Sequence, residues 1–226
     1  MGKYKKGEAA KGSLKHIQRL INLYPHLLNV PLAKICGIET ASIMWRSPLQ
    51  PDFCEYSDSD FLNVIDCAYL SKDLSRFWPR GGPQWDALGK AKDGQLFMVE
   101  AKAHIDEMVT PGSGASALSL AKIRYSLQKI KSYLKIKDPQ PWHKTFYQYT
   151  NRLAHLFFLR VMYKKPAFLV FLYFMNDPDY EDSPKSEAEW AAAIRVAETY
   201  LSLRRHKLRK YIIHIFIDVN ELSNQI

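Results

Sequence analysis

The chain has 226 residues, of which 47% are hydrophobic, and a formal net charge of +9. That length and apolar content suit one globular domain with a sizeable core, and the excess of Lys and Arg favours an anionic partner, of which nucleic acid is the commonest. No apolar run reaches bilayer length and the amino terminus lacks a signal-peptide core, so no membrane partner is expected and the location is expected to be cytoplasmic. Cys36, Cys54 and Cys67 are odd in number and lack Cys-x-x-Cys spacing, which indicates neither a disulfide framework nor a zinc site.

Residues 1–12 are rich in Lys and Gly without apolar periodicity and are expected as a mobile basic arm, leaving 13–226 as a single domain. Ser13 can cap a helix over 13–24, in which Leu14, Ile17, Leu20, Ile21 and Tyr24 recur at helical spacing until Pro25. Residues 27–45 continue as apolar helical turns broken by Pro31 and Gly37, with a loop at 47–51. In 55–70, Glu55, Asp58 and Asp60 precede Phe61, Leu62, Val64 and Ile65, a clustering that suits the first turn of a helix.

The central element follows Arg80-Gly81-Gly82-Pro83. Residues 84–91 and 95–103 are two strand-length runs joined through Asp93-Gly94, a strong hairpin signal. In the second strand Leu96, Met98, Glu100 and Lys102 share one face, while Phe97, Val99, Ala101 and Ala103 share the other, so Glu100 and Lys102 interrupt an apolar pattern side by side. A two-residue loop at Asp93-Gly94 would pair Asp86 with Ala101 and turn its carboxylate away from Glu100. A three-residue loop, Lys92-Asp93-Gly94 with Gly94 left-handed, pairs Asp86 with Glu100 and brings their Cβ atoms to roughly 5 Å. Two carboxylates that close repel unless a cation sits between them, and a hard divalent ion is the usual one. Gln84 shares the face of Asp86.

After a Pro/Gly loop at 105–116, a basic amphipathic helix is expected over 117–134, with Leu120, Ile123, Leu127, Ile130 and Leu134 as its apolar stripe and Lys122 and Lys129 off it. Residues 142–163 read as a largely buried helix whose one polar stripe is Gln148, Asn151, Arg152 and His155. Burying that stripe requires partners, which the hairpin carboxylates can supply. The apolar runs 167–175 and 211–219 are strands, and between them a helix over 183–203 ends in a basic run. Strand, helix, strand implies a parallel crossover. The order as a whole gives an α/β fold, a mixed sheet with a central hairpin flanked by helices. Lys122, Lys129, Arg204, Arg205, Lys207 and Arg209 are the expected nucleic-acid contacts.

The Asp86 and Glu100-Ala101-Lys102 constellation resembles the PD-(D/E)xK nucleases of the restriction-endonuclease-like superfamily, although Trp85, not Pro, precedes Asp86. The resemblance implies that Asp86, Glu100 and the Ala101 carbonyl hold magnesium, with manganese as the alternative ion, and that Lys102 orients an attacking water. It also implies an extra metal-proximal Glu on a helix ahead of the hairpin, for which Glu55 is the candidate, and a Gln, often with a Tyr nearby, on a later helix, matched by Gln148-Tyr149. Arg152 joins the expected catalytic residues through the polar stripe it shares with Gln148. The function expected is magnesium-dependent hydrolysis of nucleic acid, DNA before RNA. The alternatives are a non-catalytic nucleic-acid-binding module of the same fold and an interaction protein whose charged strand end is structural. Self-association into a homo-oligomer is left open.

Overall fold

The computed structural model describes residues 2–137 and 140–223; Met1 and the last three residues of the expected domain lie outside the described residues. In chain order the elements are β1 (Lys3–Tyr4), α1 (Gly12–Leu23), α2 (Pro25–Cys36), β2 (Ile43–Ser47), β3 (Glu55–Tyr56), α3 (Asp58–Val64) and α4 (Ser71–Phe77). They continue with β4 (Ala87–Ala91), β5 (Leu96–Lys102), α5 (Ala117–Leu134), α6 (Tyr147–Phe157), β6 (Ala167–Met175), α7 (Glu187–Tyr200) and β7 (Ile212–Asp218).

Five strands form one mixed sheet in the order β2-β4-β5-β6-β7. The first two pairings are antiparallel and the last two parallel, as the hairpin and the crossover through α7 require. Alternation along the strands sorts the core into two layers. Phe97, Val99, Ala101 and Ala103 pack with Ile17, Leu20 and Ile21 of α1 and Leu28 and Leu32 of α2. Leu96 and Met98 pack on the other face with residues of α3 to α7. No helix among the described residues is long and apolar enough to cross a membrane.

The hairpin loop is the three-residue one. Ala91 N–H donates to the Gln95 carbonyl at 2.8 Å and Gly94 N–H to the Ala91 carbonyl at 2.9 Å. Gly94 has φ +91°, a conformation that costs glycine little and other residues much. The ladder then runs from Lys90↔Leu96 to Ala87↔Val99, the register in which Asp86 would fall opposite Glu100, but the pairing ends there and Asp86 lies in a bend ahead of β4.

Four local expectations are corrected. Residues 43–45 are not helical turns but the start of edge strand β2, where Trp45 lies opposite Gly89; a Cβ on Gly89 would come within 2.9 Å of the Trp45 ring. Helix α2 runs through Pro31 to Cys36. Ser13 caps nothing: α1 begins at Gly12, and the Ser13 hydroxyl donates to Glu107 Oε1 at 2.9 Å. The helix expected from 142 starts at Tyr147, because Thr150 Oγ1 donates to the Trp142 carbonyl at 2.6 Å and Phe146 takes φ +59°; beyond Phe157 it widens into a π turn over Phe158–Met162.

The amino-terminal segment expected as a mobile arm is stitched to the body. β1 pairs with β3 through Lys3↔Tyr56 and Tyr4↔Glu55. Gly2 N–H donates to Asp60 Oδ2 at 2.6 Å, and the Lys6 and Gly7 amides donate to the Asp52 carbonyl.

Candidate metal and active centre

An open pocket of about 520 Å³ collects Glu55, Asp86, Glu100, Ala101 and Lys102 with Gln148, Asn151 and Arg152 of α6. The strands deliver the first group and the helix the second. Glu100 is buried mid-strand on β5, where an unpaired carboxylate would be strongly disfavoured. Its two oxygens are divided between two cations. Lys102 Nζ donates to Oε1 at 2.6 Å, while Arg152 donates to Oε2 from Nε at 2.6 Å, with Nη2 at 2.5 Å. Burial pushes the Glu100 carboxyl up, but Arg152 and Lys102 together outweigh it and hold it below the usual carboxylate range.

Further contacts fix both cations. Lys102 Nζ also donates to Gln148 Oε1 at 2.8 Å, bridging β5 to α6. Arg152 donates to Asn151 Oδ1 and to the Gln84 carbonyl, each at 2.9 Å, and its guanidinium lies 5.2 Å from the centre of the Trp85 ring. The polar stripe of α6 therefore meets the hairpin carboxylates through Gln148, Asn151 and Arg152. His155 does not join them: its Nδ1 lies 2.8 Å from the Asn151 carbonyl oxygen, and its ring packs edge-on to Phe61, Trp78 and Trp85. Burial lowers its pKa to about 4, so it is neutral at physiological pH.

Asp86 is placed differently from Glu100. It bends out of the ladder, and its Oδ2 accepts the Ala101 N–H at 2.7 Å. Burial pushes its carboxyl well above the normal range, and the neighbouring carboxylates of Glu100 and Glu55 push it further. Glu55 is raised too, chiefly by burial, with Lys6 opposing. It lies on β3 rather than on a helix, which corrects the expected element while keeping the residue in the pocket. Its partner is Lys6, 3.0 Å away, whose Nζ also donates to Gln84 Oε1 at 3.3 Å.

Three carboxylates thus face three cations, unevenly shared: Glu100 takes two, Glu55 one, and Asp86 only a backbone amide. The donors left for a hard cation are Asp86 and Glu55, together with whatever share of Glu100 its two partners release. All are oxygen ligands of the type magnesium and manganese take. The raised Asp86 fits such an ion, since a positive charge beside it would offset the repulsion that raises it.

None of the six expected nucleic-acid contacts lines this pocket. Lys122 donates to the Ser75 carbonyl at 3.1 Å, and Lys129 is exposed on α5. Lys207 lies over the Tyr133 ring. Arg204, Arg205 and Arg209 precede β7, and Arg204 and Arg209 line another recess. Lys6 is the pocket cation that sequence reasoning missed, because its placement depends on pairing β1 with a strand some fifty residues away. Two other groups of ligand-type side chains, His16-Asp177-Asp179 and His104-Asp106-Asp182, stand apart from it; the first is already engaged internally, His16 with Asp177 at 3.1 Å and Asp179 with Lys15 at 2.9 Å.

No family model matches the chain, and no curated protein or solved structure matches it either.

Proposed function

We propose that the protein is a magnesium-dependent phosphodiesterase acting on nucleic acid, a member in kind of the PD-(D/E)xK nucleases that its hairpin resembles. The observation that carries the reading is the Lys102 ammonium, held between Glu100 Oε1 and Gln148 Oε1 in the same pocket as the poorly compensated Asp86. The antiparallel hairpin joined to two parallel strands supports it as well. A bound ion, magnesium or manganese, would supply Lewis-acid stabilisation of the charge on the phosphoryl group. Asp86 and Glu55 are the side chains that would hold it, with Glu100 and the Ala101 carbonyl beside them.

Lys102 orients the attacking water by hydrogen bond, and its two acceptors restrict where the ammonium can point. Gln148 fixes Lys102 from the helix side. Arg152 holds Glu100 from behind and fastens the carbonyl of Gln84, so that the bend before β4 presents Asp86 to the pocket. DNA is the first substrate to test.

One observation favours a second reading, a non-catalytic nucleic-acid-binding module: Lys102 and Arg152 already occupy both oxygens of Glu100. A single experiment separates the two. Magnesium and manganese are titrated calorimetrically into the protein, and cleavage is assayed on single- and double-stranded DNA and RNA. Lys102→Ala is expected to keep ion binding and lower cleavage by about 10²–10⁴-fold, while Asp86→Ala loses both. Ion binding unaffected by Asp86→Ala combined with Glu100→Ala ends the metal assignment, and ion binding without cleavage on any substrate favours the binding module.

A further inference from the structure

A second, cationic recess opens beside the edge strand β7. It measures about 370 Å³ and is lined by Arg195 of α7, by Arg204 and Arg209 of the segment that follows, and by His214, Glu198 and Phe216. Arg195 and Arg204 are exposed and have no hydrogen-bond or ion-pair partner among the described residues. Arg209 is oriented by donating from Nη1 to the Ile212 carbonyl at 3.0 Å, with Nε 3.9 Å from Glu198 Oε1.

His214 forms the inner wall. Its side chain is only 10% exposed, and its ring stacks beside Phe171 and Tyr173. Nε2 faces Glu198 Oε1 at 3.5 Å, and Nδ1 has no hydrogen-bond partner among the described residues. Buried polar nitrogens without partners are uncommon and call for an explanation, of which a ligand is one. Glu198, the one acid in the lining, is already engaged by the Tyr149 hydroxyl, which donates to it at 3.0 Å. Three guanidiniums therefore face one committed carboxylate. Planar guanidinium forks match the oxygen geometry of phosphate, and an unpaired pair of them on one rim is the arrangement that phosphate recognition uses.

We infer that this recess binds a phosphate group, carried by a free nucleotide or by a nucleic-acid strand, through Arg195, Arg204 and Arg209, with the His214 ring as its inner wall. Glu100, Phe171 and His214 are successive register partners across β5, β6 and β7. The recess thus lies on the same sheet face as the carboxylates, two strands or roughly 10 Å away. The inference stands without the hydrolase reading, because it concerns binding alone.

The test is made in a chelator, so that no divalent ion contributes. Inorganic phosphate, a 5′-mononucleotide and a short single-stranded oligonucleotide are titrated into the full chain while the His214 ring resonances are followed by NMR. Saturable movement of those resonances is expected. The Arg195→Gln/Arg204→Gln variant, both sites exposed and hence safe for folding, should bind at least tenfold more weakly. Lys34→Gln/Lys72→Gln carries the same charge change on other exposed positions and should bind nearly as the parent does. Weakening in the phosphate and mononucleotide arms assigns a free phosphate; weakening confined to the oligonucleotide assigns the strand backbone. Equal weakening in the two double variants, or static His214 resonances in all three arms, overturns the inference.

Discussion

The two faces of β5 carry the same alternation to opposite ends. Towards α1 and α2, Phe97, Val99, Ala101 and Ala103 enter an apolar layer with Ile17, Leu20 and Ile21, and the buried ion pair on that side, His16 with Asp177, stands at its margin against Phe174. Towards α6, the same run places Glu100 and Lys102 in line with Leu96 and Met98, and the layer closes around an ion network. A strand cannot choose this by itself, because period two treats both faces alike. What differs is the opposing helix: α1 offers Ile17, Leu20 and Ile21, whereas α6 offers Gln148, Asn151 and Arg152. Charge is tolerated mid-sheet only where the covering element supplies its partners, and a site in such a place is built by two distant segments together.

The largest change that probes this contrast is Phe97→Ala on the aliphatic face. Phe97 is fully buried and stacks on Phe168, so its loss should cost about 3–5 kcal/mol of stability in urea unfolding. Cleavage per folded molecule should not change. A parallel fall in activity would show that the two faces are not separable.

On the polar face, Arg152→Met leaves Glu100 with Lys102 alone. Breaking a buried pair costs about 3–5 kcal/mol, and the lower end is expected because one cation remains. Here activity should fall as well, by more than the folded fraction accounts for. Combining it with Glu100→Gln should recover about 1 kcal/mol or more relative to the sum of the single changes, as for groups in direct contact. Additive losses in that double-mutant cycle would mean that Arg152 acts on the Gln84 carbonyl rather than through Glu100.

The contrast also marks what was legible in the sequence. The bend that takes Asp86 out of the ladder was not legible, but the loop Lys92-Asp93-Gly94 set the register as far as Ala87↔Val99, since turn chemistry is local. The polar stripe of α6 was legible for a similar reason: a helix apolar on most sides and carrying Arg and Gln has to meet charge somewhere. β2 was not legible, because Ile43, Met44 and Trp45 are strand-like only opposite β4, where Gly89 leaves room for the Trp45 ring. Glu55 was read in the right neighbourhood but on the wrong element. Acids before an apolar run do suit a helix start, and α3 begins at Asp58; Glu55 stays outside it because its strand pairs with residues near the amino terminus. That same pairing brings Lys6 to the pocket. Nothing in a Lys- and Gly-rich stretch announces a partner so far along the chain.

The smallest expected effect is the sharpest about the site, because Asp86 and Glu100 should respond to pH with opposite signs. An unfolded-chain Asp titrates near 3.9, and in the folded protein burial and the adjacent carboxylates raise Asp86 well above that. As pH rises from about 4, the unfolded chain releases this proton first, so the Asp86 contribution makes folding less favourable until the folded value is passed. Glu100, lowered by Arg152 and Lys102, does the reverse: its contribution is present above the unfolded value and is lost as pH falls through the folded one. Asp86→Asn keeps an oxygen for the Ala101 amide and removes the titration. In a chelator it should match the parent near pH 4 and exceed it in stability at pH 8, whereas Glu100→Gln should be less stable at pH 8. Adding magnesium should raise the parent towards the Asn variant, since an ion bound by Asp86 compensates its charge. Urea unfolding across this range measures all three. An Asp86→Asn protein less stable than the parent at pH 8 without the ion would mean that Asp86 is already compensated, which would overturn its assignment as a cation ligand.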